Sequence, residues 1–236
     1  MANTVLITGA SRGIGRACAL AFAKAGYRVA VHYNHSAAQA ETLVQQLRET
    51  GCDAACFRAD IADSAQVNEL VQQATAFLGH IDVLVCSAGI ALQQLFTDTT
   101  DLQWRELMGA DLDGVFYACR GVLPGMIARQ QGVIVNLASV NAYVGTTFGC
   151  DYSAAKHGLI GLTKSIALCG APHHVRCVGV APGPVLTRET MSKMTTPLGR
   201  AAEVSEVVDM IDYLVSDKAA FVTGSTHVID GGFTCR

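Results

Sequence analysis

Tyr152 and Lys156 stand four residues apart in the run DYSAAKHGLIGLTKSIAL, which has helical character. On a helix that spacing places both side chains on one face, about one turn apart. An ammonium beside a phenol favours the phenolate. A phenol so tuned can donate a proton to a carbonyl oxygen as hydride reaches the carbon, or accept it in reverse. A YxxxK pair alone is a weak signal, because chance pairs are common on helices. Ser139 strengthens it: this residue lies just past the apolar run Val133–Leu137, on the same predicted ligand-binding edge, where its hydroxyl can polarise the same carbonyl.

A second constellation sits near the start of the chain. Thr8-Gly9-Ala10-Ser11-Arg12-Gly13-Ile14-Gly15 follows a β-branched run and leads directly into the amphipathic run RACALAFAKAG. Gly9 can make the tight turn out of a strand, Gly13 lets backbone amides approach a pyrophosphate, and Gly15 lets a helix pack close to the sheet. The helix N-terminus adds its positive dipole. Ser11 either contacts the phosphates or caps the helix. Three glycines alone would mean little; their place at the strand-to-helix turn of a first βαβ unit makes this a mononucleotide or dinucleotide site. Charge then selects the nucleotide. A site for a free ribose 2′-OH places Asp or Glu near the end of the second strand. That stretch reads Val31-His32-Tyr33-Asn34-His35-Ser36, without a carboxylate, and Arg12 is available to pair with a 2′-phosphate. NADP(H) is therefore expected rather than NAD(H).

These groups need a scaffold that brings distant stretches to one edge. Strands are expected at Val5–Thr8, Arg28–His32, Ala54–Ala59, Val83–Cys86, Val133–Leu137, Arg176–Val180 and His227–Ile229. Helices are expected at Gly13–Ala25, Ala37–Thr50, Ser64–Phe77, Asp111–Arg129, Asp151–Cys169 and Val204–Val215. Near-continuous apolar strands such as VLIT and DVLVC suit a parallel sheet buried on both faces. Strand–helix alternation along the whole length implies right-handed βαβ units. No linker, charge block or repeat divides the chain. Residues 1–236 are expected to form a single α/β Rossmann domain, with a doubly wound, mostly parallel seven-stranded sheet and helices on both faces. The least regular stretch, Thr187–Arg200, follows a predicted strand end and suits a mobile substrate lid.

Composition narrows the class. The 236 residues are half apolar and 16% charged, which supports a substantial core and excludes disorder. Seventeen Lys and Arg against 20 Asp and Glu give a formal charge of −3, with no general attraction to nucleic acid or anionic membrane. No apolar run approaches the ~18 residues of a membrane span, and MANTVLITGA lacks the features of a secretory signal. Nine cysteines, an odd number without CxxC, read as reduced thiols. Cys52 and Cys56 lack a partner pair at metal-site spacing, so no metal is expected. A cytoplasmic protein without nucleic-acid or membrane partners is the expectation. His32, His80 and His227 are expected to be structural, His173-His174 to lie in a turn, and Trp104 to pack into the core.

TGASRGIG, followed by Ser139 and by Tyr152 and Lys156 as YSAAK, resembles the short-chain dehydrogenase/reductase family over essentially the whole chain. Asp60-Ile61 is similar to the family's adenine-contacting pair, and FLGHIDVLVCSAG to its fourth-strand motif, which includes Ser87, Ala88 and Gly89. Ala181-Pro182-Gly183 through Val185 and Thr187 resembles the segment that contacts the nicotinamide carboxamide, and VTGSTHVIDGG the C-terminal strand region. The resemblance implies Tyr152 as catalytic acid/base, Lys156 as its partner and a holder of the nicotinamide ribose, and Ser139 as the group that orients the substrate carbonyl. It also implies a homotetramer, to which Val204–Val215 and the C-terminal strand would contribute.

Two positions depart from the family pattern. Cys86-Ser87 replaces an Asn-Asn pair, which removes side-chain hydrogen bonds that brace neighbouring strands. Asp111, in GADLDGVF, stands where the family has Asn, whose backbone carbonyl holds a water in a proton relay to the active-site lysine. Asp supplies the same carbonyl, but its carboxylate would also raise the pKa of a nearby Lys. The short length and the loop are similar to bacterial 3-oxoacyl-[acyl-carrier-protein] reductases, and GIALQQLFTDTTDLQW resembles the elongation factor P 5-aminopentanone reductases. Small-ketone and hydroxysteroid oxidoreductases share the framework. The expected substrate is thus a small-molecule or carrier-linked carbonyl, selected by the lid and by Val140–Gly149. From another class, a catalytically weak NADP(H)-binding regulator would explain the two departures, but it would need no phenol–ammonium pair.

Overall fold

The β-branched runs become seven strands: β1 (Thr4–Thr8), β2 (Arg28–Tyr33), β3 (Ala54–Arg58), β4 (Val83–Cys86), β5 (Gly132–Leu137), β6 (Val175–Pro182) and β7 (Thr226–Ile229). A computed structural model describes residues 3–91, 94–187 and 195–235. All strand pairs are parallel. The order is β3-β2-β1-β4-β5-β6-β7, so the sheet is wholly rather than mostly parallel. Strand order reverses between β1 and β4, the topological switch point at which open α/β sheets bind ligands beyond the strands' carboxyl ends. The register aligns Thr8 with Cys86, Cys86 with Asn136 and Leu137 with Val180. Each of these strands ends at the same edge.

The helices are α1 (Gly13–Lys24), α2 (Ala37–Glu49), α3 (Ser64–Leu78), α4 (Asp101–Met108), α5 (Gly114–Arg129), α6 (Cys150–Gly170) and α7 (Val204–Val215). Buried positions of α1, α2 and α7 pack against one face of the sheet. Those of α3, α5 and α6 pack against the other. Alternate strand residues serve the two cores, Val5 and Ile7 facing one and Leu6 the other. Among the described residues no helix is long and apolar enough to cross a membrane.

Two expectations change. The helix expected at Asp111–Arg129 begins ten residues earlier, as α4, and passes into α5 through one π-helical turn at Gly109–Asp113. Its N-terminal signal was present: Thr100 and Gln103 form a capping box. Apolar periodicity missed α4 because only Leu107 of its eight residues is buried. Trp104, on the same helix, is 40% exposed rather than in the core.

Below the edge, Asn136 of β5 ties the sheet to α6. Fully buried, it donates from Nδ2 to Thr163 Oγ1 at 3.0 Å, and its Oδ1 accepts from the Cys119 thiol at 3.7 Å. Asn136→Ala would strand the Thr163 hydroxyl away from water, at a cost of about 1–3 kcal/mol. Urea unfolding should register that loss; an unchanged midpoint would show that the tie contributes nothing.

Candidate active site

The glycine turn folds as its residue types require. Gly9 has φ 65° and Gly13 φ 57°, a region that disfavours side chains. A Cβ on Gly9 would fall 2.6 Å from Ala88 Cα, and one on Gly15 2.6 Å from the Gly9 carbonyl oxygen. The β1 turn therefore lies directly against the turn after β4, with backbone touching backbone. Arg12, the exposed N-cap residue of α1, makes no side-chain cap. The first-turn amides of Gly13, Ile14 and Gly15 have no acceptor within the helix. These amides and the space above the glycines fit a pyrophosphate.

Three further parts carry expected site residues. Thr8 Oγ1 accepts from the amides of both Ser87 and Ala88 at 3.1 Å, which fixes the turn that ends in exposed Gly89. Asp60 closes β3 with its Oδ1 accepting from the Ala62 amide, and Ile61 is buried beneath Gly114. Pro182 ends β6, and Gly183 bonds through its amide to the Ile229 carbonyl. Val185 bridges to Ala202. Thr187 is within reach of the glycine turn: a Cβ on Gly13 would lie 3.6 Å from its Cγ2. Residues 188–194 of the expected lid lie outside the described residues. Its far end is anchored, with Thr196 Oγ1 donating to the Arg200 carbonyl and the Arg200 guanidinium paired with Glu206.

The strongest electrostatic feature is on α6. Lys156 is 5% exposed, and its Nζ reaches the Leu137 carbonyl at 3.1 Å and Asp111 Oδ2 at 3.0 Å. The same Nζ lies 5.3 Å from the centroid of the Tyr152 ring. The expected one-face arrangement of Tyr152 and Lys156 is thus present. Ser139 follows β5 two residues after Leu137 and caps a short 3₁₀ turn, its Oγ accepting from the Asn141 amide at 3.2 Å. That turn packs against α6.

Asp111 acts through its side chain. It is fully buried in the π-helical turn, and its Oδ1 accepts from the Ile90 amide at 2.7 Å while Oδ2 faces the ammonium. Burial alone would push Lys156 down, but Asp111 and then Tyr152 outweigh it, and the ammonium is held above its ordinary range. Burial raises the Asp111 carboxyl against the opposing pull of Lys156 and Ile90. The direction that matters for the pair is the upward shift of Lys156, caused by a carboxylate at contact distance.

Residue patterns missed three contributors. Thr8 opens the glycine motif, but nothing in the residue pattern showed its hydroxyl gathering the Ser87 and Ala88 amides. Asp151, fully buried in the first turn of α6, accepts from the Tyr152 amide at 2.8 Å; an acidic residue at a helix start was the available signal. Arg58, opposite Tyr33 in the β2–β3 register, donates from Nε to the Asn34 carbonyl at 3.3 Å. This puts a cation beside Asn34. Only the sheet register brings it there.

An open parallel sheet with a glycine turn at its switch point and a Tyr–Lys pair at the same edge defines a nucleotide-dependent oxidoreductase scaffold. The family model of short chain dehydrogenases matches residues 3–197, and the chain belongs to that family. It is similar to the 3-oxoacyl-[acyl-carrier-protein] reductase FabG of Staphylococcus aureus, with 36% identity over 241 residues covering 98% of each chain. It is likewise 36% identical to the 3-oxoacyl-[acyl-carrier-protein] reductase of Synechocystis sp., over 98% of this chain and 96% of that one. Among solved structures, acetoin dehydrogenase YohF of Salmonella typhimurium superposes with a TM-score of 0.93 at 29% identity, covering 100% of this chain and 97% of that one. The protein gox2181 gives 0.94 at 31%, covering 100% and 96%.

Asp111→Asn removes the charge that outweighs burial, so Lys156 should lose its proton at lower pH. The alkaline limb of the pH–rate profile should then move to lower pH. A profile that overlays the wild type would show that Asp111 does not govern Lys156.

Proposed function

We propose that this chain reduces a ketone to a secondary alcohol with NADPH, acting on 3-oxoacyl thioesters, free or carrier-linked. The observation that carries the reading is the buried Lys156 ammonium beside the Tyr152 ring, held by Asp111 and the Leu137 carbonyl. A buried ammonium so compensated is costly to build, and a protein that only bound nucleotide would not need it paired with a phenol. The dinucleotide would supply the hydride. Tyr152 donates the proton to the carbonyl oxygen, Ser139 polarises that oxygen and orients the ketone, and Lys156 stabilises the phenolate left behind. In the binding role, Lys156 also holds the nicotinamide ribose.

The cofactor side of the proposal rests on Gly9, Ser11, Arg12, Gly13, Ile14 and Gly15 for the pyrophosphate. Asp60, Ile61, Ser87, Ala88 and Gly89 would flank the adenosine and the ribose. Pro182, Gly183, Val185 and Thr187 would meet the carboxamide. For the 2′-phosphate, Arg12 and Arg58 supply charge, and the Asn34-His35-Ser36 turn supplies hydrogen-bond groups without a carboxylate to repel it. The thioester assignment is supported by the names of the curated relatives. Assembly as a homotetramer is part of the proposal: Tyr213 of α7, Val228 of β7 and Phe221 between them expose apolar surface. A substrate lid over 187–200 belongs to the same proposal, as does a cytoplasmic setting, which suits nine free thiols.

NADPH oxidation with acetoacetyl thioesters, cyclic ketones and steroids tests the chemistry and ranks the substrates. Tyr152→Phe should lower turnover at least about 100-fold while NADPH still binds; full activity in that variant would sink the assignment. Replacing Arg12 and Arg58 together by Ala should weaken NADPH by roughly tenfold and NADH far less, since each charge-assisted bond to phosphate would be lost. Equal weakening of both cofactors would remove the case for NADP(H).

A further inference from the structure

The glycine turn is clamped by a side chain that the proposed chemistry leaves unused. His32 of β2 is 2% exposed, and its ring lies between two backbone groups. The Gly9 amide donates to Nδ1 at 3.1 Å, and Nε2 lies 3.0 Å from the Ala59 carbonyl oxygen. One residue further on, the Ala10 amide donates to the His32 carbonyl at 3.0 Å. His32 thus holds two successive amides of the turn that leaves β1.

The two ring contacts admit one protonation state. A backbone amide only donates and a carbonyl only accepts, so Nδ1 must be bare and Nε2 must carry the hydrogen. The imidazolium would set an N–H against the Gly9 N–H. Gly9 has little room to yield, because at φ 65° even a Cβ on it would fall 2.6 Å from Ala88 Cα. Ring charge and turn geometry are therefore a single equilibrium.

We infer that His32 is a positioning residue for the phosphate-binding turn, and that a proton on its ring and a dinucleotide on the turn exclude one another. The inference rests on the reading of this turn as the dinucleotide site and adds a pH-dependent control of its affinity. Burial pushes His32 below the ordinary imidazole range, against the upward pull of the Ala59 carbonyl and of Asp60. Asp60, at the end of β3, is the charged group acting on the ring; β1 and its turn present the Gly9 amide. Affinity should accordingly fall on the acid side of neutrality. By reciprocity, bound dinucleotide must lower the His32 titration by the same factor.

Two measurements test this. Nitrogen NMR of the imidazole rings reads tautomer and titration directly, and His32 should appear as the neutral Nε2–H form at pH 7.5. Its titration should move to lower pH when NADP⁺ is added. Calorimetric titration of NADP⁺, chosen because it survives acid, should show affinity falling, once the pH passes below the His32 titration read by NMR, by at least about threefold more than in His32→Asn. Asn puts an acceptor near the Nδ1 position without a titrating ring, so it subtracts the 2′-phosphate's own titration. His32→Leu, with no acceptor, should bind more weakly than His32→Asn at every pH. An Nδ1–H tautomer at pH 7.5, or an acid decline in His32→Asn equal to the wild type's, would overturn the inference even if the Leu variant failed to fold. Binding in the wild type that ignores pH would overturn the coupling alone. Absence of NADP⁺ binding at every pH, with the Nε2–H tautomer present, would overturn the dinucleotide reading together with it.

Discussion

Lys156 is a charged group with only 5% of its surface exposed, at the edge of a sheet whose strands are almost wholly apolar. An ammonium in that position must be compensated on the sides that water cannot reach. The compensation comes from three separate stretches: the Leu137 carbonyl where β5 ends, the Asp111 carboxylate in the π-helical turn, and the Tyr152 ring one turn earlier on α6. Removing any of these would leave charge or polarity stranded. The position of α6 against β5, reinforced by the Asn136–Thr163 bond, is thus bound up with the state of one side chain.

The cofactor end obeys a different constraint, close approach of backbone to backbone. Gly9 and Ala88 nearly touch, Thr8 gathers the amides of Ser87 and Ala88, and His32 gathers those of Gly9 and Ala10. Thr8 and His32 thus satisfy amides that leave the sheet, Thr8 through its hydroxyl and His32 through its ring and its carbonyl. The switch point of the topology is also the place where such unpaired groups collect.

Asp111 serves two elements at once. A π-helical turn widens the helix locally and turns its residues toward neighbouring elements. Here it carries Asp111 under Gly89, so that one carboxylate oxygen fastens the β4 turn while the other faces the ammonium. The β4 turn and Lys156 share a single carboxylate. The loss of the family's Asn at Cys86 is met differently: Cys86, Cys119 and Cys177 gather around Asn136 as small buried thiols, joined by weak hydrogen bonds.

Much of this was legible in the residues themselves. Period and composition placed all seven strands, because parallel strands buried on both faces read as unbroken apolar runs. The glycines announced their turn through conformations that side chains disfavour, and the four-residue spacing put Tyr152 and Lys156 on one helix face. These are local properties of the chain. The rest depended on which strands lie side by side and where helices change pitch. α4 was hidden because a half-exposed helix has little apolar rhythm, while the Asp111 carboxylate meets Lys156 from a π-helical turn 45 residues away in the chain. Arg58 meets Asn34, and His32 meets Gly9, through sheet register, across 24 and 23 residues of chain. Sequence by itself determined the elements and the chemically able residues, since those follow from backbone preference and periodicity. The tertiary structure alone decided which buried charges and amides answer one another, since that depends on contacts between elements far apart in the chain.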